Sequence, residues 1–375
     1  MKLKEFAIIN MGQSPKGETY NTVERGMPFL QGRKTFGRIY PSIDTWTTNP
    51  IKIANKSEIL MSVRAPVGDM NFANQEICIG RGLCSINAKN GRNKYLYYML
   101  LNSMNNIKQK STGTVFDSVN RNDLENLEFN FHSEKEQDKI ENILGNIDIK
   151  IELNNEINNN LSEQLKTIFY EWFESKMNDD LPDDWKIVDL QDVATFSQGV
   201  QVPIEEQIEQ EKDGFVRFIR IVDITQGSDK EIRFIEDRDR GHVVENEIFM
   251  TRYGTPGILS RNYNGIIANN LFKITPSDGV TSNYLFSALN VDRIQKYIKG
   301  NATSSTMPAI SFSTLNNQKV IIPNRETLGK FDEYSETVRR KQLNIINENK
   351  RLEQLRDTLL PKLMNGEIDL DNIEI

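Results

Sequence analysis

Two stretches of the chain carry apolar residues alternately four and three positions apart. The first runs through Ile140, Leu144, Ile147, Ile151, Asn154, Asn158, Leu161, Leu165, Ile168 and Trp172, with two asparagines at its middle. The second places Phe331, Val338, Ile345, Leu352 and Leu359 seven apart, and Tyr334, Ile346 and Leu355 widen the stripe. Such a stripe predicts a long helix whose apolar seam is too narrow for a globular core. A helix of about 40 residues is roughly 60 Å long. The chain holds two, so the spacing predicts an intramolecular coiled coil, with two separate surface helices as the other reading. Asn154 and Asn158 are expected to fix its register at some cost in stability. Both helices carry Glu-Gln-Leu, at Glu163 and Glu353, and then turn apolar.

Before each helix the period shortens, and the same patterns occur twice. "LKEFAIINMGQ" from Leu3 matches "LQDVATFSQGV" from Leu190, with Gly12 over Gly199. "PFLQGR" at Pro28 parallels "RFIRIV" at Arg217, and "EILMSVRAPVGDM" at Glu58 parallels "EIFMTRYGTPGIL" at Glu247. "KYLYYMLLN" at Lys94 falls on "NYLFSALNV" at Asn283, and the stretch from Ser111 falls roughly on that from Ser304. The offset drifts only from 187 to about 191 residues, too long a period for a solenoid. The "EILMSV" and "EIFMTR" runs read as strands before Pro/Gly turns, "KYLYYMLLNSMNNIKQ" reads as a helix, and "LENLEFNF" and "LNNQKVIIP" read as closing strands. The fold class is thus α+β, with two similar mixed α/β domains and two long helices. The expected domains are 1–133 and 187–323, followed by helices at 134–178 and 324–375. A linker at 179–186 carries four aspartates around Pro182.

The net charge of −7 conceals an uneven distribution. Residues 1–133 hold 17 Lys/Arg against 11 Asp/Glu, 134–186 hold 6 against 14, 187–323 hold 14 against 17, and 324–375 hold 9 against 11. A local basic face binds phosphate whatever the total, so charge alone decides nothing. Cys78 and Cys84 are too few for a disulfide framework or a four-ligand metal site and read as buried thiols of a cytoplasmic protein. No run of about 18 apolar residues occurs, so no membrane association is expected. There is no phosphate-binding loop and no dinucleotide fingerprint. His132 and His242 are too few for histidine-based catalysis, and the acidic run at Glu236 reads as a solvated loop. The chain is not expected to be an enzyme.

Four stretches carry a resemblance to the specificity (S) subunits of type I restriction-modification systems. They are "LRDTLLPKLMNGEI" at Leu355, "EKEQDKIENILGNID" at Glu134, "LKTIFYEWF" at Leu165 and "LPDDWKIVDLQDVATFSQG" at Leu181. The order of parts resembles the family over essentially the whole chain. The chain departs from it where "FHSEKEQ" replaces a proline-rich turn, where "NRETLGKFDEY" lacks Glu-Gln, and where no "LPDDW" precedes the first copy. The resemblance implies two target-recognition domains at opposite ends of an antiparallel helix pair, related by a pseudo-two-fold axis. Each domain reads one half of a bipartite double-stranded DNA sequence. The implied partners are two modification subunits, which methylate adenine using S-adenosylmethionine, and two restriction subunits where cleavage occurs, using ATP with Mg2+. No cofactor or catalytic residue is implied in this chain. The rival reading is a protein-interaction scaffold with no DNA role.

Base edges are read by rigidly held Arg, Lys, Asn or Gln, and phosphates by cations and hydroxyls on loops. In the first domain Gln31, Arg33, Lys34 and Arg38 cluster as a candidate recognition loop or a solvated turn. Arg64 and Arg252 each follow a strand as DNA candidates, with Arg217 and Arg220 in the second copy of the Gln31 stretch. Tyr253 either stacks on DNA or packs in the core. Lys110, Thr112 and Thr114, with Ser304, Ser305 and Thr306, lie in Ser/Thr-rich stretches suited to phosphate or simply to a turn.

Overall fold

The structure, a computed structural model, describes residues 1–110 (side chains to 104), 118–177, 181–225, 231–302 and 308–370. It divides into two units, Met1–Glu152 with Lys350–Ile375 and Leu153–Asn349. The division falls inside two long helices, a central one at Glu134–Trp172 and a distal one at Arg325–Met364. Each unit therefore holds one globular copy and part of each helix.

In the first unit Ala7–Met11, Leu83–Ala88, Ile59–Ser62 and Met70–Phe72 hydrogen-bond in that order as an antiparallel sheet. In the second unit Ala194–Gln198, Leu271–Pro276, Ile248–Thr251 and Leu259–Ser260 repeat it strand for strand. Residues two apart on a strand share a face. Ile59 and Met61 accordingly join the core against the helices, while Leu60 turns to a second, smaller core. Ile248 and Met250 do the same in the other unit, with Phe249 on the far side. That far side is a small second sheet built in both units on one parallel pair. The pair is Met27–Leu30 with Ile77–Ile79 in the first unit and Phe215–Ile219 with Gly265–Ile267 in the second. The sequence-predicted strands at Ile59 and Ile248 and the helix at Asn93–Lys110 are present.

Two expectations fail locally. The second copy's helix is split into Ser282–Leu289 and Asp292–Asn301, because Val291 between them is extended. The closing strand forms only in the second copy, where Lys319–Ile322 pairs with Lys186–Asp189. In the first, Glu128 faces Lys2 through a single bridge, so no ladder propagates.

The helices pair antiparallel within each unit. In the first, Ile140 and Leu144 are fully buried with Leu360, Leu363 and Met364, and Leu359 packs beside them. In the second, Leu165, Phe169 and Phe173 pack with Val338, Phe331 and Leu328, and Leu161 joins them partly buried. Rising numbers on one helix thus meet falling numbers on the other. Ile151 and Ile345 are buried, whereas Ile147 and Leu352 are half-buried outside these apolar clusters. Ile346 and Leu355 are 39% and 48% exposed, so they do not widen the seam. The distal helix ends at Gly366, whose φ of +70° is a left-handed stop that favours glycine.

Polar groups occupy the middle of the seam in the second unit. Asn154, 1% exposed, donates to Asn349 Oδ1 and Glu348 Oε2, both at 2.8 Å. Asn349 Nδ2 in turn donates to Asn155 Oδ1 at 2.9 Å. Asn158 plays a different part from that expected. Its backbone carbonyl accepts from Gln342, while its side-chain oxygen is buried without a partner among the described residues. Asn154→Ala should cost about 1–3 kcal/mol, because the Asn349 side-chain oxygen loses its donor. Asn154→Leu with Asn349→Leu should recover most of that loss. Denaturant unfolding of the two variants checks the pair.

Candidate nucleic-acid interface

Beyond the shared end of the parallel strands in the first unit lie Gln31 and the turn Gly80–Arg81–Gly82. The Gly82 amide donates to the Gln31 carbonyl at 3.1 Å. A Cβ on Gly82 would stand 2.7 Å from that oxygen, and one on Gly80 would stand 2.9 Å from Gln31 Cα. Only glycines allow this approach. The Ser14 hydroxyl donates to Gln31 Oε1 at 3.0 Å and accepts from the Arg81 amide at 3.1 Å. Gln31, Arg81 and Lys34 are exposed, and Lys34 has no ion pair among the described residues. Arg33 is exposed and bonded to Asp69 at 2.5 Å. Tyr20 stacks on Phe29 at 4.6 Å, flooring a pocket of about 200 Å³ lined also by Gln31, Lys34 and Asp44. Arg64 is exposed on the bridge to Ser118.

Matching backbone hydrogen bonds align the second unit with the first. Gly80 N to Leu30 O corresponds to Ala268 N to Ile219 O, both 2.8 Å. Val63 N to Gly82 O, 2.9 Å, corresponds to Arg252 N to Asn270 O, 2.8 Å. The bridge between Arg64 and Ser118 corresponds to that between Tyr253 and Ala309. Gln31 is therefore the counterpart of Arg220, Arg81 of Asn269, and Arg64 of Tyr253. The register read from the sequence, Glu58 over Glu247, is the same, so Arg64 and Arg252, each expected to project from the end of a strand, are not equivalent: Arg252 stands at the place of the buried Val63. On an extended strand one residue changes the face. The Arg252 guanidinium lies over the rings of Tyr253 and Phe312 at 5.1 and 5.3 Å, and its Nε donates to Ile310 O at 3.2 Å.

Other candidates are tied into the scaffold. Arg38 bonds Asp148 of the central helix, Nη1 to Oδ1 at 3.0 Å and Nη2 to the carbonyl at 2.9 Å, rather than standing with Gln31. Arg220 Nη2 donates to Glu231 O at 2.5 Å, and the Arg220 amide donates to Asp223 at 2.6 Å. Arg217 lies over Tyr263 at 5.2 Å. Thr112, Thr114, Ser304, Ser305 and Thr306, and the side chain of Lys110, lie outside the described residues. Sequence reasoning missed Arg81 and Asn269. The available signal was an arginine between two glycines directly after a strand.

The sequence pattern of the family described as the type I restriction modification DNA specificity domain matches residues 1–163 and 182–353. The chain belongs to that family. Its sequence is 41% identical over 147 residues to the MjaX specificity subunit of Methanocaldococcus jannaschii, covering 39% of this chain and 34% of that one. It is 26% identical over 346 residues to the type I restriction enzyme MjaIX specificity subunit of the same organism, covering 86% and 80%. The match to MjaX thus spans about a third of that relative's length. The crystal structure of the S subunit from M. genitalium shares the fold, with a TM-score of 0.54 at 18% identity over 97% of this chain and 95% of that one.

Two of the titratable groups sit in packing contacts. Burial pushes the Cys84 thiol up to about 12, so it stays protonated. His132 Nδ1 shares a 2.8 Å hydrogen bond with the Tyr95 hydroxyl in a T-shaped contact. No group of three His, Cys, Asp or Glu that could hold a metal occurs among the described residues, and no helix there is long and apolar enough to cross a membrane. Gly82→Ala should displace the Gln31 loop at a cost of about 1–3 kcal/mol, because backbone oxygen cannot yield as a side chain does. Gly91→Ala has nothing within 4 Å and is held back only by its φ of +78°. It should cost less in the same denaturant titration.

Proposed function

We propose that the chain reads a bipartite double-stranded DNA target, one half with each globular copy, and directs partner subunits to it. The observation that carries this is the contrast between scaffold and surface. Equivalent places on one scaffold hold exposed Gln31, Arg81 and Arg64 in the first copy and half-buried Arg220, Asn269 and Tyr253 in the second. One support carrying two sets of polar groups suits two different half-sites. The recognition domains are 1–133 and 187–323. Gln31, Arg81, Arg64, Arg33 and Lys34 are the DNA-facing groups of the first, and Asn269 and Tyr253 of the second. The chain supplies no chemistry itself. Two modification subunits transfer the methyl group of S-adenosylmethionine to adenine, and restriction subunits, where they join, use ATP with Mg2+. The setting is the cytoplasm.

The scaffold alternative draws on the second copy, where Arg238 pairs with Glu206 at 2.5 Å and Arg233 with Glu209. Binding of the assembled complex to duplexes altered in either half-site, at several salt concentrations, separates the two. Arg81→Ala or Arg64→Ala should affect one half-site only, and Asn269→Ala or Tyr253→Ala the other. A lost base contact should cost about 1–3 kcal/mol at one position. A lost phosphate contact should weaken all duplexes and lower the salt slope by about one unit. Equal affinity for every duplex with little response to salt favours the scaffold. The purified chain alone should transfer no methyl group to DNA, and adenine methylation should appear once the modification subunit and S-adenosylmethionine are added.

A further inference from the structure

The globular copies meet the helices through several ion pairs, such as Arg92 with Asp138 and Lys166 with Asp292. Among these contacts one cluster in each unit is centred on a helix residue, and the two central residues are opposite in sign. In the first unit the Asp148 carboxylate accepts from Arg38 and Arg356 at 3.0 Å and from the Tyr98 hydroxyl at 2.7 Å. Arg38 Nε also lies 3.5 Å from Glu152, and Arg356 bonds Asp357 at 2.9 Å. In the second unit Arg339, 6% exposed, donates to Glu245 at 2.9 Å and Asn262 at 2.8 Å, and to both oxygens of Glu336 at 2.8 Å. Arg340 and Asn283 also donate to Glu336, and Arg261 donates to Asn283. Hydrogen bonds from Arg339 hold Glu336 at about 2, so this cluster is ionised at neutral pH.

Asp148 and Arg339 occupy the same helix position. Both helices open on the same cap: Gln137 N donates to Ser133 O and Glu136 N to the Ser133 hydroxyl, as Leu328 N donates to Asn324 O and Thr327 N to Asn324 Oδ1. Asp148 lies fifteen residues beyond Ser133, and Arg339 fifteen beyond Asn324. The domains are inverted to match. Before the buried strand, Glu58 N bonds Asn55 O as Glu247 N bonds Val244 O, which puts Lys56 at the place of Glu245. The first domain offers Arg38 and Lys56, and would set them against Arg339. The second would set Glu245 against Asp148, with its buried Arg261 held to Asn283. Like charges facing across a partly buried contact are costly.

We propose that Asp148 and Arg339 are positioning residues that seat each recognition domain on its own helix and exclude the other domain by charge. The consequence for DNA rests on the recognition function proposed above. The test uses the full-length chain, in its complex on half-site duplexes and alone in denaturant. Asp148→Arg should weaken recognition of the first domain's half-site at least tenfold, leave the second unchanged, and lower the unfolding midpoint. Arg38→Glu alone should be similarly damaging, yet on the Asp148→Arg background it should return binding to within threefold of the parent and raise the midpoint again. Recovery of the midpoint in a chain indifferent to DNA sequence supports the latch and counts against the recognition reading instead. Absence of recovery in both measurements overturns the proposal. If Asp148→Arg does not fold, Asp148→Asn and Arg38→Gln take its place: a combined effect no larger than the greater single one supports the latch, and simple additivity overturns it.

Discussion

Ile140 and Leu144 belong to two cores at once, the seam between the long helices and the interior of the first domain, where they pack with Tyr95, Leu96 and Met61. Phe169, Phe173 and Phe331 have the same double membership in the second unit, where all three rings lie 5.2 to 6.0 Å from Tyr284. A helix with a narrow stripe gains little stability by itself and draws it from packing. Each such side chain, wholly buried, contributes about 1.5–3 kcal/mol. Because one set of side chains closes both cores, a domain cannot tilt on its helix without opening its own interior. The orientation of the recognition surface follows from that sharing.

Around this shared core the two copies agree at several of the points where the chain packs most closely. A Cβ on Gly12 would meet the carbonyl of Leu83 at 2.7 Å, and one on Gly199 would run into those of Ile267 and Ala268. Gly68 and Gly257 both turn with φ above +90° and press on a helix, against Met104 and Ile298. Ser62 and Thr251 each bond back to a carbonyl four residues on, at Pro66 and Thr255. The copies part company outside these points. The turn that is Gly80–Arg81–Gly82 in one is Ala268–Asn269–Asn270 in the other. Geometry is held by the glycines and short hydroxyls, which leaves the exposed side chains free to differ.

The duplication and the heptad stripes made most of this fold legible, because both are periodic signals that survive divergence of individual residues. What escaped was local. Arg252 read as a side chain projected from its strand like Arg64, yet it holds the place of the buried Val63, and alternation along the strand turns it to the rings of Tyr253 and Phe312. Arg38 read as part of a loop because its partner, Asp148, is 110 positions away. Asn158 looked equivalent to Asn154, yet only Asn154 faces Asn349, since spacing gives the stripe but not the partner's register. Arg81 passed unnoticed as a lone arginine; its meaning comes from the closeness of Gly80 and Gly82 to Gln31.

The charge distribution takes on a sharper sense with the pairs in place. Among the described residues of the first domain, Lys34, Arg64 and Arg81 are exposed without an ion pair. In the second domain Arg220, Arg233, Arg238 and Lys273 are each matched to a carboxylate, while Arg240 stands exposed. Lys212, Lys296 and Lys299 are exposed too, away from the Asn269 and Tyr253 turns in sequence. A cation already paired releases fewer counterions on meeting phosphate than a free one. On the proposed reading the two domains therefore contribute unlike terms. The first supplies most of the salt-sensitive attraction, and the second relies on neutral amides and the Tyr253 ring, whose contacts act only at short range. A chain that is acidic overall can in this way hold DNA from one side and discriminate from both.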